Sequence, residues 1–261
     1  MPHISFSELK NWTQCAHYHK LVNIQKLKLF KGNEYTAFGT AIHDLCERTL
    51  IEENNGPDPG NYFTHKFLNH VDGLREQGVD LDPKLLDNLN KQGKNLAPLI
   101  MPEVKEHFEK YEVVGTEIKL YESMEEIFPH EDGYYFKGFV DAVIKTSDGT
   151  YHLIDWKTCS WGWDSKKRSD PIISYQLTLY KHFFAQKYNV DPSKIETYFA
   201  LLKRTAKKDN VEFFRVTSGP KKTKNALNLL KKSLHNITKG ISIKNRLSCK
   251  YCEFYKTEHC P

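Results

Sequence analysis

Asp141, Asp155 and Lys157 put two carboxylates and an amine close together in the chain. They sit at or near the ends of two apolar, strand-like runs, Gly138-Phe139-Val140-Asp141 and Leu153-Ile154-Asp155-Trp156-Lys157-Thr158. Between the runs, Ser147-Asp148-Gly149 reads as a hairpin turn, with glycine supplying the positive φ that tight turns need. Alternation along a strand points Asp155 and Lys157 the same way, and pairing of the two runs brings Asp141 close to them. Two neighbouring carboxylates raise each other's pKa unless a cation lies between them. Mg2+ or Mn2+, hard ions that prefer carboxylate oxygen, suit that position. A lysine beside them can orient or deprotonate a water and stabilise charge on a phosphoryl oxygen. By itself a D-x-K triplet describes a solvated surface hairpin equally well.

Periodicity along the chain predicts the helices and strands around these residues. Ser5-Phe6-Ser7 opens a first helix, with Ser7 able to cap it, and Leu9, Trp12 and Ala16 at helical spacing. Residues 21–33 read as an extended piece ending at Gly32-Asn33. Residues 37–50 form a second helix with Phe38, Ile42, Leu45 and Thr49 on one face, and with His43 and Glu47 four apart on another. A lone helical histidine is more often structural than functional. A loop is expected at 54–60, followed by helices over 61–112 broken at Gly78–Pro83 and Pro98–Pro102. Strands are expected at 112–121, which holds Glu117, at 134–144 and 150–158, and at 195–203 and 211–217. Ile173, Leu177, Tyr180 and Phe184 place a helix at 172–188, and Gln176 and Tyr180 share one of its faces. A lysine-rich amphipathic helix closes the series at 220–240. The loop at 159–171 carries Trp161, Trp163 and Lys166-Lys167-Arg168, a mixture that can stack on bases and hold phosphates or can simply be mobile. This order of helices and strands argues for a mixed α/β sheet fold.

The 261 residues suit one large domain, 1–261, with a helical insertion at 51–112. No run of about 18 apolar residues is present, so no membrane helix is expected, and the N-terminus lacks the pattern of a signal peptide. A cytoplasmic protein is the expectation, and there six cysteines are more often metal ligands or core residues than disulfides. The net charge of +5 is unevenly placed. Residues 41–132 hold 9 basic against 20 acidic residues, a balance of −11, whereas residues 203–246 hold 13 against 2, a balance of +11. The basic stretch suits a polyanion such as nucleic acid.

The tail at 241–261 carries Cys249, Cys252 and Cys260 in the spacing C-x2-C-x7-C, a metal-site pattern. Cys15, His259, Cys46 and Cys159 are candidates for a fourth ligand. Four thiolates including Cys15 would suit either a [4Fe-4S] cluster or Zn2+. Ligands drawn from both ends would tie the termini together and convert binding energy into folding energy.

Taken together, these residues resemble the RecB-like branch of the PD-(D/E)XK nucleases, in the iron–sulfur exonuclease group that includes CRISPR-associated RecB-like exonucleases and AddB-type nuclease domains. Gly39-Thr40-Ala41-Ile42-His43 resembles the family's G-x-x-x-H motif, Gly138 to Asp141 its G-x-x-D strand, and Asp155-Trp156-Lys157 its (D/E)-x-K strand. Gln176 to Tyr180 resembles the Q-x-x-x-Y helix, and Ser5 to Leu9 with Cys15 resembles the first helix and first cluster cysteine. The chain departs from the pattern in its x7 gap before Cys260, where about x5 is usual, and in Asp155, where many relatives carry Glu. The resemblance implies a restriction-endonuclease-like mixed sheet core flanked by helices, with an Fe–S clasp joining the termini. It implies that His43, Asp141, Asp155 and the Trp156 carbonyl hold Mg2+ or Mn2+, and that Lys157 orients the attacking water. Gln176 and Tyr180 would position the DNA backbone, Glu117 would support the site, and Cys15, Cys249, Cys252 and Cys260 would hold a structural [4Fe-4S] cluster. The implied activity is exonuclease cleavage of DNA, with single strands preferred over duplex ends, in company with recombination, replication or CRISPR proteins. A non-catalytic DNA-binding or assembly subunit on the same scaffold is the alternative, and so is a nuclease with structural Zn2+ in place of the cluster.

Overall fold

The computed structural model describes residues 1–52 and 56–261. Strand β1 (His3–Ser5) leads into helix α1 (Phe6–Gln14). Ser5, not Ser7, caps that helix. Its Oγ accepts from the Glu8 N–H at 3.2 Å, and the Glu8 carboxylate accepts from the Ser5 N–H at 2.9 Å, a reciprocal capping box. Cys15 then turns extended, and α2 (Ala16–His19) runs on into a π-helical turn, Lys20–Ile24. The stretch expected to be extended from residue 21 therefore begins helical, with Leu21 buried, and is irregular only after it.

Helix α3 (Glu34–Glu52) starts three residues before the expected position, because the Asn33 side chain accepts from the Thr36 N–H at 3.0 Å. The loop expected at 54–60 lies partly outside the described residues. Helices α4 (Pro59–Glu76) and α5 (Pro83–Phe108) each begin at a proline behind a capping aspartate, Asp58 and Asp82. The break expected at Pro98–Pro102 is absent, and both prolines lie inside α5. They are four residues apart, so the N–H that Pro102 lacks is the one the Pro98 carbonyl would have accepted. Buried Leu96, Ala97, Ile100 and Val104 hold the helix together across that defect.

The sheet is mixed. Strand β2 (Tyr111–Ser123) pairs antiparallel with β3 (Tyr135–Thr146) along almost its whole length. The other edge of β3 is shared. At one end β1 pairs with Tyr135–Lys137 in parallel, and at the other β4 (Tyr151–Cys159) pairs with Ala142–Lys145 antiparallel. Beyond β4 come β5 (Ile195–Lys203), parallel to it, and β6 (Val211–Arg215), antiparallel to β5. A short helix α6 (Ser165–Ser169) interrupts the loop after β4, and α7 (Pro171–Tyr188) and α8 (Pro220–Thr238) complete the chain of helices.

Two apolar layers sandwich this sheet. One lies under α3, α4 and α5 and includes Phe38, Phe63 and Phe67 with Ile154 and Trp156 of β4. The other lies under α1, α7 and α8 and includes Leu177, Phe183 and Leu230 with Leu153 and Phe199. The alternation of β4 thus sends Ile154 and Trp156 one way and Leu153 the other. No helix among the described residues is long and apolar enough to cross a membrane.

Candidate active site

The centre of the site is a place where two strands part. Pairing of β3 with β4 ends at Ala142 and Ile154, one residue short of Asp141 and Asp155. Pairing of β3 with β1 ends at Lys137, so Gly138 to Asp141 has no strand on that edge. Backbone groups freed there need other partners. The Trp156 N–H donates to Asp141 Oδ2 at 2.8 Å, and the Trp156 carbonyl accepts from His43 Nε2 at 2.8 Å.

Helices reach the gap from both sides of the sheet. From α3, His43 also brings Nδ1 to 3.5 Å from Asp141 Oδ2. From α7, the Gln176 amide donates to Asp155 Oδ1 at 2.6 Å. Lys157 extends along its own strand so that its ammonium contacts Asp155 Oδ2. Tyr180, one turn beyond Gln176, fills the unpaired edge. A Cβ on Gly138 would lie 2.8 Å from its ring, and its hydroxyl is hydrogen-bonded by the Phe139 backbone and the Gln176 side chain.

The electrostatics follow from burial and proximity. Asp141 and Asp155 are both buried. Burial first, and the charge of Asp155 second, push the Asp141 carboxyl well above the ordinary carboxylate range. Burial opposes the charge on Lys157, but Asp155 and Asp141 outweigh it and raise its pKa. Burial, then the Lys157 charge, lowers the pKa of His43, so its imidazole is neutral near pH 7. A neutral imidazole facing a carbonyl must carry its proton on that nitrogen, which assigns the hydrogen to Nε2. Burial and the Asp155 charge raise the Tyr180 phenol, which stays a neutral donor.

Glu117 stands next to this centre on β2 with a left-handed backbone, φ 47°, in mid-strand. Its side chain hydrogen-bonds Glu47, one turn beyond His43 on α3. Burial, then the Glu117 charge and that bond, push the Glu47 carboxyl up to about 7. Glu47 carried no signal beyond its spacing from His43, because its partner lies seventy residues away across a strand irregularity.

Among the described residues, no three His, Cys, Asp or Glu side chains stand close enough to cage a metal without adjustment. In the gap, Asp155 is engaged by Lys157 and Gln176. The donor chemistry nonetheless suits a hard ion. Asp141 and Asp155 offer buried carboxylate oxygens, and the Trp156 carbonyl adds a third oxygen beside the His43 imidazole.

The cysteines fall into two sets. Cys15, Cys249, Cys252 and Cys260 line one cavity of about 320 Å3 at the termini, all unpaired. Burial raises the Cys252 thiol, with Cys260, Cys15 and Cys249 close enough to add to the effect. Cys15 Sγ accepts from the Asn245 N–H at 3.3 Å. Cys46 is buried in the layer under α3, and Cys159 at the end of β4 lies against the Leu202 carbonyl, away from that cavity. The His259 ring is turned to Glu258, at 3.5 Å. The termini are also tied by hydrogen bonds, Asn245 Nδ2 and Ser248 Oγ both donating to the Gln14 carbonyl at 2.9 and 2.7 Å.

A mixed sheet whose strands part to present two carboxylates, a lysine and a helical histidine defines a carboxylate–lysine centre of the D…D-x-K kind. The sequence profile of the PD-(D/E)XK nuclease superfamily matches residues 3–257, and the chain belongs to that superfamily. No curated protein matches it. Among solved structures, it is similar to a Eubacterium rectale protein described provisionally as an exonuclease, at 14% identity over 96% of this chain and 86% of the other, with a TM-score of 0.58. At that identity the likeness is one of fold. A second structure, of the protein SSO0001, aligns at 17% identity over 83% of this chain and 94% of its own, with a TM-score of 0.39, too low to argue from.

Proposed function

We propose that this protein is a metal-dependent DNA nuclease, an exonuclease that prefers single-stranded ends and hydrolyses phosphodiester bonds. The observation that carries this reading is the gap between β3 and β4, where Asp141, Asp155, the Trp156 carbonyl and His43 converge with Lys157. In this reading His43, Asp141, Asp155 and the Trp156 carbonyl hold Mg2+ or Mn2+, which supplies Lewis acidity and a more acidic water. Lys157, which contacts Asp155, would orient the attacking water and meet charge building on the phosphoryl oxygens. Gln176 holds Asp155 Oδ1, and neutral Tyr180 would offer its hydroxyl to a phosphate. Glu117 and Glu47 support the Asp141 side. Cys15, Cys249, Cys252 and Cys260 hold a structural [4Fe-4S] cluster, and zinc in the same four thiolates is the second occupant that this donor set accepts.

Digestion of end-labelled single-stranded DNA with Mg2+ or Mn2+ tests the reading. Wild type, purified without oxygen, is expected to shorten the strand progressively, and Lys157→Ala and Asp141→Ala to lose at least ~100-fold, as removal of a charge-stabilising group typically does. Folded wild type that leaves the strand intact sinks the nuclease reading, and equal cutting by all three proteins relocates the site.

A further inference from the structure

The surface just beyond Lys157 carries features that the hydrolytic centre does not use. Helix α3 and strand β4 run past each other in opposite directions. His43 meets the Trp156 carbonyl, and Gly39 lies level with Thr158, whose Oγ1 would be 3.8 Å from a Cβ placed on that glycine. One turn further out, Tyr35 and the end of β4 are joined through Arg204. The Arg204 guanidinium lies 5.0 Å over the Tyr35 ring, and its Nη2 donates to Ser160 Oγ at 2.8 Å.

The next residue, Trp161, is 71% exposed, and Tyr35 is 47% exposed. Trp161 is not on a loose loop. The Ser160 carbonyl accepts from both the Thr205 N–H at 3.1 Å and the Thr205 hydroxyl at 2.7 Å, and the Arg204 N–H donates to the Cys159 carbonyl at 3.0 Å. Gly162 follows at φ 116°, a conformation that favours glycine, and turns the chain so that Trp163 packs against Phe199 at 4.9 Å. The result is a pinned corner that buries one tryptophan and presents the other to solvent. Lys166 and Lys167 are exposed on the following helix, and Lys167 lies over the Trp163 ring at 4.5 Å.

We propose that Trp161 and Tyr35 form a stacking platform for the unpaired bases of a single-stranded nucleic acid end, with Arg204, Lys166 and Lys167 meeting its phosphates. This inference rests on the nuclease reading for the kind of ligand and names the residues that would set its preference for single strands. Rigid exposed aromatics interleaved with cations are what sequence-tolerant single-strand binding requires, because every base has a π-face and every linkage a charge. Bases inside a duplex keep their faces occupied by their neighbours and cannot use the platform.

The test is binding of a fluorescently labelled oligo(dT) to the full-length protein in EDTA, followed by anisotropy, beside an abasic oligomer of the same length. Wild type is expected to bind oligo(dT) more tightly than the abasic strand. Trp161→Ala should weaken oligo(dT) by about tenfold, as loss of one base–aromatic stack does, and leave the abasic strand unchanged. Trp161→Phe, which keeps a ring, should retain most of the affinity. Undiminished oligo(dT) binding by Trp161→Ala, equal loss on both strands, or wild type that does not distinguish them overturns the proposal. Because binding is read without metal, these outcomes stand apart from whether wild type cuts DNA.

Discussion

Gly138 is empty space that Tyr180 occupies. Its position on the unpaired edge of β3 lets the Tyr180 ring come within 2.8 Å of where a Cβ would stand, and Phe136 leaves only 3.3 Å on another side. Tyr180 is buried and cannot swing into solvent without exposing the layer it shares with Phe136 and Phe183. Gly138→Ala is therefore an overpacking change at the site's edge, expected to cost about 1–3 kcal/mol and to displace the phenol from the Phe139 backbone. A thermal melt would show it as a lowered midpoint. Gly138→Ala combined with Tyr180→Leu, which vacates the ring's position, should recover part of the loss, and unchanged melting of the single variant would refute the packing argument.

At the scale of elements, the packing of α3 on β2 brings two like charges together. Glu47 of α3 hydrogen-bonds Glu117 of β2, with Asp44 adding repulsion and Lys66 relieving it. The folded Glu47 carboxyl lies near 7 against an ordinary value of 4.5. Below about pH 4.5 both folded and unfolded chains hold the proton and nothing is lost. As pH rises toward 7, the unfolded chain releases the proton first, so stability falls across that window and levels off above it. Glu47→Gln removes this component, and its urea midpoint, measured in chelator, should fall less steeply between pH 5 and 7.5 than that of wild type. Parallel slopes would show that the pair does not titrate as described. The motif residues were legible because their order along the chain resembles that of a known family's motifs, whereas patterning alone left His43 and the D-x-K triplet with structural readings. His43, Asp141, Asp155, Lys157, Gln176 and Tyr180 could be named from sequence, and the structure brings them to one gap. The Glu47–Glu117 pair was not legible, because it depends on the irregularity of β2 between Val113 and Gly115 and on Glu117's left-handed backbone. Nor was the continuity of α5, since packing of its apolar stripe overrides two prolines that local propensity reads as a stop. Trp161 and its neighbours were visible as a mixture of aromatic and basic residues, but the fixing of the corner by Arg204 and Thr205 joins residues 44 and 45 apart in the chain.

At the scale of the whole molecule, charge and chain ends are organised separately. The acidic segment forms the layer of α3, α4 and α5, and the basic segment includes α8 on the other side of the sheet, where Lys221, Lys224, Lys231 and Lys232 are exposed. The chain ends meet on the basic side, as α1 and α8 share one apolar layer. There the link between termini has two components: direct contacts, among them the hydrogen bonds of Gln14 with Asn245 and Ser248 and the Tyr18 ring against Phe254, and four cysteines around one cavity. Only the second depends on a bound group. If the thiolates are bridged by metal, Cys252→Ser should leave the sheet and its layers intact, since Cys252 belongs to neither layer. It should still lower the melting temperature, because ligand binding energy is folding energy wherever the apo segment is less ordered. A loss of ~3 kcal/mol would lower the midpoint by roughly 6–12 °C in a chain of this size. Absorbance near ~400 nm in the anaerobic wild type, bleached in the variant, identifies iron–sulfur, whereas a colourless protein with one bound zinc identifies the alternative. A metal-free wild type that melts at the same temperature as Cys252→Ser would leave the direct contacts of the termini as the whole of the clasp.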